Sequence, residues 1–330
     1  INILFFIGGA HPAGGAERHL FRLIRNLEKL KNYNIELMTI NENLNIFNDL
    51  DIKKHHFKIG KRLISIQTLY SIIKFRKKIK KFVLIHSFLN ETNFLSIFFK
   101  LSNKKIKIIT SKRNQDKWKN INLFYAKISN YFSDIITVNT NSMIDWYNKV
   151  EKVDRAKIRY LPNSIENHWV FNKKKSNEEE IVITNVGNFN HKKNQLALIN
   201  SFAKLKDQFN NVVLKIIGRG LLLNKYNANI KRLGLDNSVH LIIDCDDVKS
   251  ILHNTDIFIL PSKKEGMSNA LLEAASCGIY CLSTDVGGAR ELLEVSKHGL
   301  LIKDTSETEI YKSLKETITN HNYERSKTAS

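Results

Sequence analysis

DIFILPSKKEGMSNALLEAASCGIYCLSTDVGGARELL, residues 256–293, decides the reading of this chain. Residues 257–260 are apolar, β-branched and aromatic, and Pro261 and Ser262 close the run, so it reads as a buried strand. Ser268 can cap a helix, residues 270–275 are mostly good helix formers, and Gly278 ends it. A strand that feeds a helix through a short polar loop leaves backbone N–H groups at Met267, Ser268, Asn269 and Ala270. They point out of the sheet edge with the positive end of the helix dipole, where a diphosphate fits. Glu265 in the loop and Glu273 about one turn inside the helix flank that anion, and each can accept hydrogen bonds from hydroxyls.

The same alternation extends outward. In the second half strands are expected at 181–186, 212–217, 240–243, 257–260 and 280–283. Helices are expected at 195–206, 223–233, 268–276, 288–293 and 307–320. In the first half residues 1–7, 35–40, 82–86, 106–110 and 135–139 read as strands. Residues 16–30 read as a helix with Leu20, Leu23, Ile24 and Leu27 on one face, and Leu69, Ile72, Ile73, Phe75 and Ile79 mark a basic amphipathic helix. This is α/β patterning with parallel sheets. A chain of 330 residues suits two cores rather than one. The polar run NKKKSNEEE is the expected linker, so the domains are 1–165 and 181–330, joined by 166–180. Two open parallel sheets facing each other leave an interdomain cleft for ligands.

Charge is distributed unevenly. Residues 1–170 hold 30 Lys and Arg against 13 Asp and Glu, a balance of +17; residues 171–330 hold 22 against 19, a balance of +3. From Ile52 to Asn90 there is no acidic residue, while Lys53, Lys58, Arg62, Lys74, Arg76, Lys77, Lys78, Lys80 and Lys81 are among the basic ones. A lysine-rich coding bias would act on both halves alike, so the first domain is expected to seek a polyanion, an anionic lipid surface before nucleic acid. Cys245, Cys277 and Cys281 are odd in number, lack metal-ligand spacing and lie among apolar residues, which predicts buried, reduced thiols. No run approaches the ~20 apolar residues of a membrane span. The opening INILFFIGGA reads as a strand and not a signal peptide.

The motifs GGAERHL (14–20), SKRN (111–114), LPNSIE (161–166), VGNFNHKKN (186–194), IIGRG (216–220), the Glu265 to Glu273 segment and STDVGGARELL (283–293) occur in an order and spacing that resembles glycosyltransferase family 4. The resemblance spans nearly the whole chain and implies the GT-B fold, two Rossmann-like domains. It implies a retaining enzyme in which Glu265 and Glu273 hold the donor's sugar and ribose and Lys193 contacts its phosphates. It places Asn188, Gly218 and Arg219 with Met267 to Ala270 around the donor, and His86 beside the reacting sugar, while Gly14 and Gly15, between the first strand and helix, allow close backbone approach to a donor phosphate or to the acceptor. This chain departs from the family pattern twice: Asn188 replaces an arginine that helps hold the phosphates, and Phe88 replaces a second histidine. Lys192 or Arg219 is the expected substitute for the missing arginine, and Arg113 is an acceptor-site candidate because its fork-shaped cation suits a phosphate.

Gly14 and Gly15 alone do not form the dinucleotide GxGxxG pattern with a following acidic residue, which argues against a NAD enzyme. Asp244 and Asp246 resemble a metal-binding DxD pair, but they lead into DDVKSIL (246–252), which the family resemblance implies is the loop that contacts the nucleobase, so the pair is read as a decoy. No carboxylate or histidine cluster has metal-ligand spacing, so no metal and no cofactor are expected. The reading is a transferase that moves a hexose or N-acetylhexosamine from a UDP-sugar to a glycan or lipid-linked acceptor in cell-envelope polysaccharide synthesis. It would work in the cytoplasm, peripheral to the inner face of the membrane. The alternative is a non-catalytic basic module of the same fold that docks on anionic lipid or nucleic acid. Relatives finish with a crossover helix for which the sequence shows no room, so trimmed ends or a departure from the family are expected.

Overall fold

The computed structural model describes residues 1–8, 14–40, 45–114, 120–165, 169, 180–245 and 247–320. The chain divides into two units, Ile1–Ser164 and Ile165–Ser330. Apart from Trp169 and Glu180, the expected linker lies outside the described residues, as do Asp246 and the last ten positions.

The first unit runs β1 (Asn2–Ile7), α1 (Gly15–Glu28), β2 (Asn34–Thr39), β3 (Lys53–His56), α2 (Ile66–Ile79), β4 (Leu84–Phe88), α3 (Asn90–Ser102), β5 (Lys107–Lys112), α4 (Asn120–Phe132), β6 (Ile135–Val138), α5 (Asn141–Lys149) and β7 (Ile158–Tyr160). All its strands are parallel, in the order β3-β2-β1-β4-β5-β6-β7. Because side chains alternate along a strand, β1 serves two cores. Leu4 and Phe6 pack with Phe57, Phe75 and Phe99 on one face, and Ile3, Phe5 and Ile7 pack with Leu20, Ile24 and Phe88 on the other.

The second unit runs β8 (Ile181–Val186), α6 (Gln195–Lys206), β9 (Val212–Ile217), α7 (Leu223–Arg232), β10 (Val239–Ile242), α8 (Val248–His253), β11 (Ile257–Leu260), α9 (Asn269–Ser276), β12 (Tyr280–Thr284), α10 (Ala289–Ser296), β13 (Gly299–Ile302) and α11 (Glu307–Thr319). Its parallel sheet has the order β10-β9-β8-β11-β12-β13. Counted from its own first strand, each sheet begins 3-2-1-4-5-6, the doubly wound order whose switch point lies between strands 1 and 4.

Three expectations need correction. The strand expected at 82–86 is β4, two residues later, because Phe82 is a core residue of the preceding turn: its N–H donates to Ile79 O at 3.0 Å. His86 therefore lies mid-strand and not at the strand end. Residues 247–252 are not a loop; Asp247 caps α8 by accepting from the Ser250 N–H at 3.0 Å. Cys245 is half-exposed, unlike the buried Cys277 and Cys281, because it lies in the loop after β10 and not in a packed element. The strands missing from the sequence reading, β3, β7 and β13, are all sheet edges, where polar or short sequences are normal and apolar patterning is weakest.

Candidate functional site

At the switch point of the second unit, β8 and β11 each end in a loop that carries one charged residue inward. The β8 loop is shaped by Asn190, whose side-chain oxygen accepts from the N–H groups of Lys192 at 3.0 Å and Lys193 at 3.2 Å. The β11 loop is stitched to it where the Lys263 N–H donates to Lys192 O at 2.8 Å. These turns bring Lys193 Nζ to 2.6 Å from Glu265 Oε1, an ion pair between positions 72 residues apart in sequence. Both side chains are mostly shielded, at 20% and 13% exposure, so the attraction is screened less than at an open surface.

Glycines let the surrounding loops close on one another. A Cβ on Gly218 would lie 2.1 Å from Gly187 O, and one on Gly287, whose φ is +57°, would lie 1.7 Å from Gly266 O. Gly187 itself leaves room for the Lys193 stem, whose Cδ would be 3.1 Å from an added Cβ. Beneath this floor runs a buried polar chain that sequence reasoning missed. The Tyr226 hydroxyl donates to Gln195 Oε1 at 3.0 Å, Gln195 Nε2 donates to Gly187 O at 2.9 Å and Asn185 Oδ1 at 3.1 Å, and Asn185 Nδ2 donates to Ile259 O at 2.7 Å. It ties α7, α6, β8 and β11 together and holds Gly187 in place. The available signal was Asn185, an amide inside a strand whose other residues are Ile, Val and Thr.

The other expected donor residues are placed as follows. Ser268 is the cap of α9, with its hydroxyl 3.4 Å from the Leu271 N–H, while Met267, Asn269 and Ala270 are half-buried around that helix start. Glu273 is buried on α9, and it is the second cause, after burial, that pushes the Cys277 thiol up to about 11. Asn188 is exposed, and Arg219 is drawn to Asp244, 3.2 Å away on the surface, so neither joins the Lys193 and Glu265 pair. Lys192 is likewise exposed.

The switch point of the first unit is built differently. Gly14 is the cap of α1, and a Cβ there would meet the Glu17 carboxylate at 2.2 Å; Gly15 opens the helix. His86 is buried in β4, with Nε2 2.8 Å from Ser111 Oγ, which in turn is 2.6 Å from Thr137 Oγ1. Burial, and then the Arg113 charge, lower its pKa to about 3, so the ring is neutral. Sequence reasoning missed His19, one turn into α1 and 2% exposed, whose ring is held down to about 2 by burial and by Arg113, His86 and Arg22. Arg113 Nη1 donates to Asn163 Oδ1 at 3.1 Å.

Among the described residues no group of three or more His, Cys, Asp or Glu is arranged to hold a metal ion, and no helix is long and apolar enough to cross a membrane.

Comparison with known proteins gives two adjoining family matches: the profile described as Glycosyltransferase Family 4 over residues 13–168, and that described as Glycosyl transferases group 1 over residues 169–329. An uncharacterized glycosyltransferase of Methanocaldococcus jannaschii is 31% identical over 42% of this chain, which spans 38% of that protein's length. The GalNAc-alpha-(1->4)-GalNAc-alpha-(1->3)-diNAcBac-PP-undecaprenol alpha-1,4-N-acetyl-D-galactosaminyltransferase of Campylobacter jejuni is 26% identical over 97% of this chain and 90% of its own. The crystal structure of Anabaena HepE in complex with UDP superposes with a TM-score of 0.84 at 16% identity, covering 99% of this chain and 94% of that one. That likeness shows the fold, GT-B with two Rossmann-like domains.

Proposed function

The chain belongs to glycosyltransferase family 4, and on that premise we propose that it moves a hexose or N-acetylhexosamine from a UDP-sugar to a lipid-linked glycan acceptor. The observation that carries this reading is the Lys193 and Glu265 pair at 2.6 Å across the switch point of the second unit. There the sheet's strand ends offer a diphosphate a helix start at α9, and Lys193 supplies a cation for the departing diphosphate. Glu265, released from Lys193 as the phosphates take its place, accepts from hydroxyls of the donor sugar. Glu273 is assigned the ribose side on the family's pattern.

We assign a retaining, front-face course. The bond from the anomeric carbon to the leaving phosphate oxygen breaks as the acceptor oxygen bonds to that carbon on the same face. The acceptor's proton passes to the leaving phosphate, so no protein nucleophile is required. Lys193 and backbone donors take the role a metal would otherwise fill, which makes activity in EDTA part of the proposal. Support for the donor and acceptor classes comes from HepE, solved with UDP, and from the Campylobacter jejuni transferase, whose name specifies a diphospho-undecaprenol-linked acceptor.

We place the first unit against the inner membrane face. On α2, Ile66, Leu69, Tyr70 and Ile73 are exposed, Ile66 to 90%, and Arg76, Lys77 and Lys78 follow in the last turn. An apolar and aromatic stripe flanked by cations suits an anionic lipid surface better than nucleic acid.

Calorimetry with UDP, GDP and their sugar derivatives, in EDTA and then in magnesium, tests the donor reading. Binding of one UDP-sugar in EDTA is the expected result; no nucleotide binding in either condition would leave the non-catalytic docking module as the better account.

A further inference from the structure

Phe88 closes β4, and three basic side chains gather around its ring. Arg113 Cζ lies 5.3 Å from the ring centroid, the His86 ring 4.5 Å and the His19 ring 6.1 Å. The position at which the resembled family carries a second histidine is here a platform for a guanidinium. Arg113 Nη1 is occupied by Asn163 and Leu161 O, but among the described residues Nε and Nη2, both shielded from solvent, have no hydrogen-bond partner. Those two atoms form one edge of the guanidinium, the edge that grips two oxygens side by side. Both ring nitrogens of buried His19 are likewise without a partner among the described residues.

The groups acting on His19 are all bases, the guanidiniums of Arg113 and Arg22 and the neutral His86 ring, and no carboxylate among the described residues acts on Arg113. Unmade hydrogen bonds on buried donors and an unpaired, desolvated cation are both costly, and such a cost persists where a ligand removes it. His86 is already satisfied by Ser111, which leaves His19 and the open edge of Arg113 as the groups that need an anion.

We propose that His19 and the Nε and Nη2 edge of Arg113 form a binding site for phosphoryl oxyanions, those of the diphosphate that links the acceptor glycan to its lipid. The assignment of that diphosphate to the acceptor rests on the transferase reading above; the oxyanion site does not. Two oxygens of one phosphate meet the arginine edge and an oxygen of the other meets His19, whereas a carboxylate would exhaust its oxygens on the arginine alone. A bound dianion also favours protonation of His19, so binding takes up a proton.

The test titrates the whole chain, saturated with UDP to fill the donor unit, with pyrophosphate and separately with farnesyl diphosphate. Arg113→Gln should weaken both at least about tenfold, the loss expected for a charged hydrogen bond, and leave UDP affinity unchanged. His19→Asn should weaken both and abolish the proton uptake seen when calorimetry is repeated in buffers of different ionisation enthalpy. Arg113→Lys, which keeps the charge without the edge, should also weaken both ligands and serves if the glutamine variant does not fold. Wild-type affinity for pyrophosphate in a folded Arg113 variant, or no binding by the wild type, would overturn the site. Dependence on Arg113 for pyrophosphate but not for farnesyl diphosphate would overturn its assignment to the acceptor. Failure of UDP to bind, with the Arg113 dependence intact, would remove the donor reading and leave the oxyanion site standing.

Discussion

The two units share a strand order, and the same topological position carries different electrostatics in each. In the second unit the switch point holds Lys193 and Glu265 as a pair, a cation with its own counterion already in place. In the first it holds His19, His86 and Arg113 around a phenylalanine, and no carboxylate among the described residues acts on them. A paired site is nearly self-sufficient when empty and must exchange partners to bind; an unpaired one carries a cost that only a ligand relieves. The fold thus provides the place, and the residues delivered there decide whether it exchanges or captures an anion.

Breaking the paired site should give the largest effect. Glu265→Ala or Lys193→Ala is expected to lower kcat by about 100-fold or more, the usual cost of removing one preorganised charge-stabilising group. Circular dichroism should show the fold retained, and pyrophosphate binding in the first unit should be unchanged. Near-wild-type transfer by both variants would mean that the pair is structural.

The glycine floor sharpens the comparison, since it belongs to the second unit alone. Gly287→Ala places a Cβ against Gly266 O in a left-handed backbone conformation and should cost about 3 kcal/mol or more, whereas Gly278→Ala, at φ +71° with open space around it, should cost only ~1–2 kcal/mol. Denaturant titration of the two variants reads the difference, and equal losses would show that the loop contacts relax freely.

Acid should act on the first unit before the second. His19 and His86 are neutral when folded, with pKa values near 2 and 3, against an ordinary value near 6.5 when unfolded. The unfolded chain therefore binds more protons below pH 6.5, and stability falls as pH drops, by about 1.4 kcal/mol per pH unit for each histidine. Hydrogen exchange compared at pH 7 and pH 5.5 should show faster opening of β1, β4 and α1, with smaller change in β8 and β11. Uniform change in both units would contradict this origin.

The smallest effect is expected at the surface. Lys77→Glu on α2 should weaken binding to vesicles containing phosphatidylserine by about 2 kcal/mol, counting ~1 kcal/mol for the charge lost and a similar amount for the charge added. The same reversal at Lys231 of α7 should change vesicle binding little. Equal losses at the two positions would make the attraction a property of net charge and not of the α2 face.

Much of the second unit was legible from residues 181–320. β8, β9, β11 and α6 fall where apolar runs and helix periodicity put them, because each central strand is buried on both faces and reads as a mainly apolar segment. The edge strand β3, with the sequence Lys53, Lys54, His55, His56, carries no such mark and was invisible as a strand. Phe82, apolar yet outside β4, moved the expected strand and with it the position of His86.

By itself the sequence determined the doubly wound class, the uneven charge and the candidates Lys193, Glu265 and Glu273, all local properties of short segments. Only the tertiary structure decided their company. It set Lys193 on Glu265, drew Arg219 away to Asp244, buried the chain from Tyr226 to Asn185, and brought His19 and Arg113 to the same ring. Residue type sets what a side chain can do, but charge pairing and desolvation depend on distances of a few ångströms between segments far apart in the chain, and those are fixed by how the loops at the strand ends close.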